Sequence, residues 1–244
     1  MFSLIIKEIN GFLNSLIGYI VIFVFLLTIG LFLWIFQDSS FNLPAAGVAD
    51  LDALFALTPW VYLMLVPAIT MRLFSEEKKA GTIELLLTRP LTEMQVVMAK
   101  YIAGVVLVLF SLLPTLCYYY TIQQISLPAG NVDHGSIIGS YIGLLLLGAT
   151  FVSIGLFSSS LADNQVVSFI TSFFLILIFF QGFESIAGML GFSRFSSIVF
   201  NLSFNAHYLS LSRGVIDSRD LVYFFSVIML FLFLTRFVIE SRKW

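Results

Sequence analysis

Long apolar runs separated by short polar stretches set the outline of this chain. Runs at about 16–36, 58–74, 98–121, 137–157, 166–186 and 221–238 approach or reach the ~20 residues that a ~30 Å hydrocarbon core asks of a helix. They predict an all-α polytopic membrane protein of six transmembrane helices, with residues 1–244 as a single transmembrane domain. Ahead of the first run, Ile5, Ile9 and Phe12 fall on one helical face among Lys7, Glu8 and Asn10, which predicts an amphipathic N-terminal helix lying at the membrane interface. A cleavable signal peptide is the rival reading, helped by the small residues Ala45, Ala46 and Gly47. The first apolar run exceeds the ~7–15 residues usual for a signal.

Several local signals refine the spans. Pro59 suits the first turn of a helix starting near Thr58, while Pro67 and Pro114 fall mid-span and predict kinks. Arg72, near the inner end of the second span, is expected to snorkel to the interface. Thr92 followed by Gln95 reads as a capping box opening the third helix. Gly139 and Gly143 form a GxxxG match in the fourth span, permitting close packing without naming the partner. Between the fifth and sixth runs lies Phe192–Ser212, apolar but studded with Ser and Asn. Phe195, Ile198, Val199, Leu202, Ala206 and Leu209 fall on one helical stripe, so the segment is expected to be re-entrant or interfacial. Asp217 can cap the last span, with Asp220 in its first turn.

Composition confirms the solvent. With 59% hydrophobic residues, 11% charged and a mean hydropathy of +1.03, the chain cannot supply the polar surface of a soluble domain. The net charge of −2, without a basic patch interleaved with aromatics, excludes a nucleic-acid partner. Cys117 is the single cysteine, so neither an internal disulfide nor a multi-cysteine metal site is available. The cations give the orientation. With six spans, Lys7, Arg72, Lys78, Lys79, Arg89, Lys100, Arg236, Arg242 and Lys243 share one side, against Arg194, Arg213 and Arg219 on the other. The positive-inside rule then places both termini in the cytoplasm.

No enzyme motif is present: HExxH, CxxC and GxSxG do not occur, and His134 and His207 lie far apart. The dipeptide Gly-Lys is also missing, so the chain has no phosphate-binding loop of that type. No cofactor is expected on this chain, and any ATP it depends on must be bound by a partner subunit. Ionisable groups at membrane depth are scarce, which disfavours a secondary transporter or channel. Glu184, with Gln181 one turn earlier, is the main candidate for a polar group on a path or gate. The plainer reading is an interfacial carboxylate solvated or paired with Arg194. Around it, Leu202, His207, Arg213, Gly214, Asp217 and Asp220 make up a candidate outer gate, with Gly214 as the flexible point and the alternative that the segment simply floats on the outer leaflet.

The stretch Ser75–Lys100, spanning the 75–97 cytoplasmic loop, concentrates charge in an otherwise apolar chain. Glu76 and Glu77 can end the second helix, Gly81 breaks it, and Thr82 can cap a short helix closed by Pro90. Ile83, Leu86 and Leu87 share a face of that helix. A greasy face on a cytosolic helix is either gripped by a partner or laid on lipid headgroups, and the residues alone leave both open.

The run Glu77-Lys78-Lys79-Ala80-Gly81-Thr82-Ile83-Glu84-Leu85-Leu86-Leu87-Thr88-Arg89-Pro90 resembles the coupling-helix segment of type-2 ABC transporter permeases: an acidic and basic cluster, Gly-Thr, a Glu, a leucine pair and a Pro. The six-span layout with its amphipathic N-terminal helix is similar as well, so the resemblance covers nearly the whole chain. It implies that Glu77, Gly81, Thr82, Ile83, Glu84, Leu86, Leu87 and Pro90 couple the permease to an ATPase. A second run, His207 to Asp220, resembles the outer segment of the gliding-motility permeases (GldF-like) and of the related NosY-type permeases, with Leu209 departing from an acidic preference there. The expectation is a permease half in a bacterial inner membrane, probing no substrate that the sequence can name, and more consistent with export than import. Its expected partners are a GldA-like cytosolic ATPase and either a second copy or a GldG-like membrane subunit, with gliding motility as the process served. A scaffold that transmits ATPase strokes without passing a solute fits the same residues.

Overall fold

A computed structural model describes residues 1–47, 49–82, 92–126, 131–191, 194–214 and 217–241. Among the described residues there are helices and turns but no strand. Six helices are long and apolar enough to cross a membrane: Leu16–Ile35, Asp52–Lys79, Glu93–Ile125, His134–Leu161, Gln165–Met189 and Ser218–Ser241, called spans one to six below. The protein is therefore an all-α polytopic membrane protein. A separate helix, Phe2–Leu13, precedes span one and turns into it at Asn14–Ser15, where Ser15 Oγ accepts from the Gly18 N–H as an N-cap.

Span four is the axis of the bundle. It packs against spans two, three, five and six, and it is buried along most of its length. Its small residues explain how. In lipid there is little hydrophobic drive between helices, so close backbone approach and hydrogen bonds to stranded backbone groups carry the association. A Cβ at Gly155 would collide with the Thr70 side chain of span two, and one at Gly148 would sit 2.8 Å from Val108 of span three. The structure supplies the partner of the Gly139–Gly143 pair, which the GxxxG match leaves unnamed. A Cβ on Gly139 would lie 2.8 Å from Gly214 Cα, and one on Gly143 would lie 3.2 Å from Leu211 and 3.4 Å from Tyr208. The pair therefore seats the segment before span six rather than another membrane span.

Spans one, two, three and five carry irregularities, and in span two the stranded backbone groups find side chains. Span two begins at Asp52 rather than near Thr58. Pro59 thus lies inside the helix, and its missing N–H leaves the Phe55 carbonyl without its helical donor. The Tyr208 hydroxyl fills that vacancy at 2.8 Å. The same helix breaks at Met71–Phe74, before the acidic pair expected to end it, and restarts as the short helix Ser75–Lys79. Ser159 Oγ of span four accepts from the Phe74 and Ser75 N–H groups (3.0 and 3.1 Å) and donates to the Met71 carbonyl (3.2 Å). One fully buried hydroxyl thus satisfies both sides of the break, which water does for loops outside a membrane. Span three narrows to a 3-10 turn at Leu113–Thr115 around Pro114, and spans one and five contain π-helical turns at Leu31–Ile35 and Ile178–Gly182. The Thr92–Gln95 capping box is formed in both directions.

The segment between spans five and six is two short helices, Arg194–Phe200 and Phe204–Leu211, separated by a turn at Asn201–Ser203. The single stripe expected there is consequently divided. Phe195, Ile198, Leu202 and Leu209 remain 63, 61, 45 and 45% exposed, so this chain alone does not bury them.

Candidate functional site

The end of the bundle rich in cations is organised by a buried lysine. Lys100, in the second turn of span three, has no exposed side-chain surface. Its Nζ lies 2.9 Å from Glu8 Oε1 of the N-terminal helix and 2.9 Å from Glu77 Oε2 of the Ser75–Lys79 helix. It also donates to the Leu73 carbonyl at 2.5 Å and sits 5.0 Å from the centroid of the Phe74 ring. Lys7 completes the group, 3.2 Å from Glu77 Oε1 and 3.8 Å from Glu8 Oε1. Two ammonium groups face two carboxylates, so the cluster is neutral as a whole. That neutrality is what makes burying Lys100 tolerable.

Four elements meet on this one ammonium: the N-terminal helix, the break in span two, the helix after it, and span three. Their apolar contacts agree, because Leu4, Leu73, Phe74, Val96, Val97, Leu156 and Leu232 form a second core beneath the cluster. On the opposite side of the short helix, Lys78 Nζ bonds the Ser160 carbonyl and lies 3.5 Å from Asp163 in the turn between spans four and five. Arg72 pairs with Glu76 one turn on, at 2.9 and 3.2 Å. A cavity of about 290 Å³ opens between Lys7, Glu8, Gly11, Arg72, Glu76, Glu77 and Thr82.

Of the expected coupling residues, Glu77 is thus in the cluster, Gly81 turns the chain with φ +67, and Thr82 bonds back to the Glu77 carbonyl through its N–H at 2.9 Å and its hydroxyl at 3.3 Å. Ile83, Glu84, Leu86, Leu87 and Pro90 lie outside the described residues. What the structure does describe is both roots of that loop, the outgoing one at Glu77 and the returning one at Lys100, clamped to each other and to the N-terminal helix.

The candidate gate residues gather at the opposite end. Glu184 Oε2 receives the Asn205 side-chain amide at 2.8 Å and forms no ion pair with Arg194 among the described residues, which corrects the expected pairing. Gln181 lies in the π-helical turn of span five, beside Phe180, whose carbonyl accepts from Ser203 Oγ at 2.8 Å. His207 contacts Asp220 at 2.7 Å. Leu202 lies in the turn between the short helices, and its carbonyl accepts from the Tyr223 hydroxyl at 2.6 Å. Asp217 accepts from the Arg219 N–H at 2.9 Å, acting as the expected cap of span six. Gly214 has φ +78, lies against Ser136 and follows Ser212, whose carbonyl accepts from Ser136 and Ser140 at 3.1 and 3.0 Å. Arg213 enters no ion pair among the described residues. These contacts tie Phe204–Gly214 to spans two, four, five and six at once.

Three functional features escaped sequence reasoning. Lys100 read as one more loop cation, although a lysine at the start of an apolar helix is a signal for a buried partner. Glu8 read as the polar face of an interfacial helix. Tyr208 gave one signal only, the proline at position 59 whose orphaned carbonyl needs a donor from elsewhere. Burial pushes the Tyr208 phenol up, and Asp52 adds to it, so it remains a donor. Tyr208→Phe should therefore lower thermal stability in detergent by the ~1–3 kcal/mol of a stranded buried carbonyl. Pro59→Ala, which returns an N–H to the Phe55 carbonyl, should recover most of that loss in the double variant. Equal losses in the single and double variants would refute this pairing.

No curated protein matches the sequence. The sequence model of the ABC-2 family transporter proteins, however, matches residues 2–239. That match takes in the N-terminal helix, all six spans and both clusters, so this chain belongs to the ABC-2 family as a membrane permease subunit of an ABC transporter.

Proposed function

We propose that this chain is the membrane half of an ATP-driven exporter whose ATPase, a separate cytosolic subunit, grips the 82–90 helix. The carrying observation is the Lys100 cluster. A push on the loop reaches Glu77 directly, and through Lys100 it reaches span three and the N-terminal helix together. ATP would be held entirely by the partner, and no cofactor by this chain. In this reading the cation-rich end and both termini face the cytoplasm of a bacterium, the bilayer is its inner membrane, and the Phe204–Gly214 end faces outward. The resemblance of the 207–220 run supports a gliding-motility setting, with a GldA-like ATPase and a second copy or a GldG-like protein as membrane partner. Gln181, Glu184, Leu202, His207, Arg213, Gly214, Asp217 and Asp220 would border the outward gate. A secondary transporter or channel is the alternative. Recovery of an ATPase with the tagged chain supports the exporter, whereas transport down an ion gradient by the chain purified without any ATPase would replace it.

Orientation is tested separately. On a Cys117→Ser background, cysteines introduced at Ser3 and Ser241 should be shielded from an impermeant thiol reagent in intact cells. One at Asn131 should label; this position spares Asp133, which caps span four through the Gly135 and Ser136 N–H groups. Labelling at Ser3 and Ser241 with protection at Asn131 would invert the topology.

A further inference from the structure

The two short helices at the far end differ in how they are held. Phe204–Leu211 buries Phe204, Tyr208 and Leu211, whereas Arg194–Phe200 buries no residue. Between Arg194–Phe200 and the end of span five lies a cavity of about 800 Å³, bordered by Glu184, Ala187, Gly188, Arg194, Phe200 and Asn201. Arg194–Phe200 is tied to the end of span five by Ser196 Oγ, which donates to the Ala187 carbonyl at 2.8 Å, and the turn Asn201–Ser203 joins it to the more deeply buried helix. Two of its carbonyls are held from elsewhere: Leu202 by Tyr223, as above, and Asn201 by His207 Nε2 at 2.9 Å.

His207 is the unusual member. Its Nδ1 lies 2.7 Å from Asp220 Oδ1 while its Nε2 faces the Asn201 carbonyl. The ring stacks on Tyr223, with centroids 3.9 Å apart and planes at 20°. Both polar partners are acceptors: a carbonyl always is, and a carboxylate in an ion pair is too. A neutral imidazole has one N–H and can serve one of them, so against an ionised Asp220 only the doubly protonated ring satisfies both. Asp220 deepens the dependence. It is 6% exposed, and among the described residues its Oδ2 is buried without a hydrogen-bond partner and His207 is the cation paired with it. The other charged groups nearby are turned elsewhere or are unpaired: Asp217 caps its own helix, Glu184 takes Asn205, and neither Arg213 nor Arg219 forms an ion pair with Asp220. From span six, Asp220, Tyr223 and Phe224 face the ring.

We propose that His207 is a proton-dependent pin across the Asn201–Ser203 hinge. While the imidazolium spans Asp220 and Asn201, helix Arg194–Phe200 is held against the bundle. Loss of one ring proton leaves a lone pair facing either the carboxylate or the carbonyl. One side of the pin is then repulsive, and the Phe200 end of the helix is freed to swing about the Ser196–Ala187 contact over the cavity beside Glu184. This concerns a hinge in the isolated chain and stands whether or not an ATPase couples at the other end.

The test is a pulsed-EPR distance in nanodiscs, on a Cys117→Ser background, between spin labels at Ile198 and Val222, which are 61 and 67% exposed. A control pair at Leu209 and Val222 reports the firmly held helix. Between about pH 5.5 and about pH 8.5, either side of the imidazole range, the displaced Ile198–Val222 population should grow roughly tenfold, the scale of one lost charge-assisted hydrogen bond. The Leu209–Val222 distance should stay constant. Asp220→Asn should abolish the response in the held state, because an amide N–H can donate to Nδ1 while a neutral ring keeps Nε2–H on Asn201. His207→Gln should abolish it as well. A wild-type Ile198–Val222 distribution indifferent to pH overturns the pin, as does a pH response that persists undiminished in His207→Gln or that moves the control pair equally.

Discussion

Lys100→Met should loosen the cation-rich end of the bundle more than any other single substitution there. Methionine keeps the length and apolar stem but removes the charge that Glu8 and Glu77 share, leaving two carboxylates against Lys7 alone. Breaking one side of a buried ion pair costs about 3–5 kcal/mol. Here both carboxylates are 13% exposed, and water reaching them brings the expected loss toward about 2–3 kcal/mol. It should appear as a lower unfolding temperature in detergent and as faster proteolysis at the 83–91 loop, since both of its roots are released. The triple variant Lys100→Met, Glu8→Gln, Glu77→Gln removes all three charges and should regain most of the stability. If Lys100→Met alone behaves as wild type, the cluster is an ornament of the fold rather than its clamp. If the triple variant is stable but no longer supports ATPase-driven function, the charges matter for transmission beyond holding the helices together.

The spans were legible because membranes impose a simple length and polarity rule, and the capping box at Thr92 was legible because it is local. What the sequence concealed was pairing over long separations. Glu8 and Lys100 are 92 residues apart, and Tyr208 and Phe55 are 153 apart; no periodicity connects such positions. The misplaced start of span two had a definite consequence. With the helix beginning near Thr58, Pro59 is harmless, whereas with Asp52 at its head Pro59 orphans a carbonyl and so creates the anchoring site for Tyr208. A start near Thr58 leaves Asp52 outside the helix, yet Asp52 is the kind of residue favoured in a first helical turn. The far-end segment was misread for a related reason: a helical stripe drawn through Phe195 to Leu209 ignored Asn201 and Ser203, residues that favour turns. The GxxxG match was real as a permission for close approach, but sequence gave no hint that Gly214 and Leu211 were its partners.

The proposed coupling face, Ile83, Leu86 and Leu87, lies in sequence between the two clamped roots, and the most direct test falls there. Fully burying a leucine is worth about 1.5–3 kcal/mol, and forcing a carboxylate into the same groove adds a desolvation penalty of several kcal/mol. Leu86→Asp should therefore reduce the ATPase recovered per tagged permease by at least about tenfold, with insertion into the membrane and recovery of the permease unchanged. Glu84→Gln, on the same short segment but off the apolar face, serves as the control and should retain the partner. Loss of the ATPase from Leu86→Asp alone is the result this account predicts; full ATPase stoichiometry on a correctly inserted Leu86→Asp permease would contradict it.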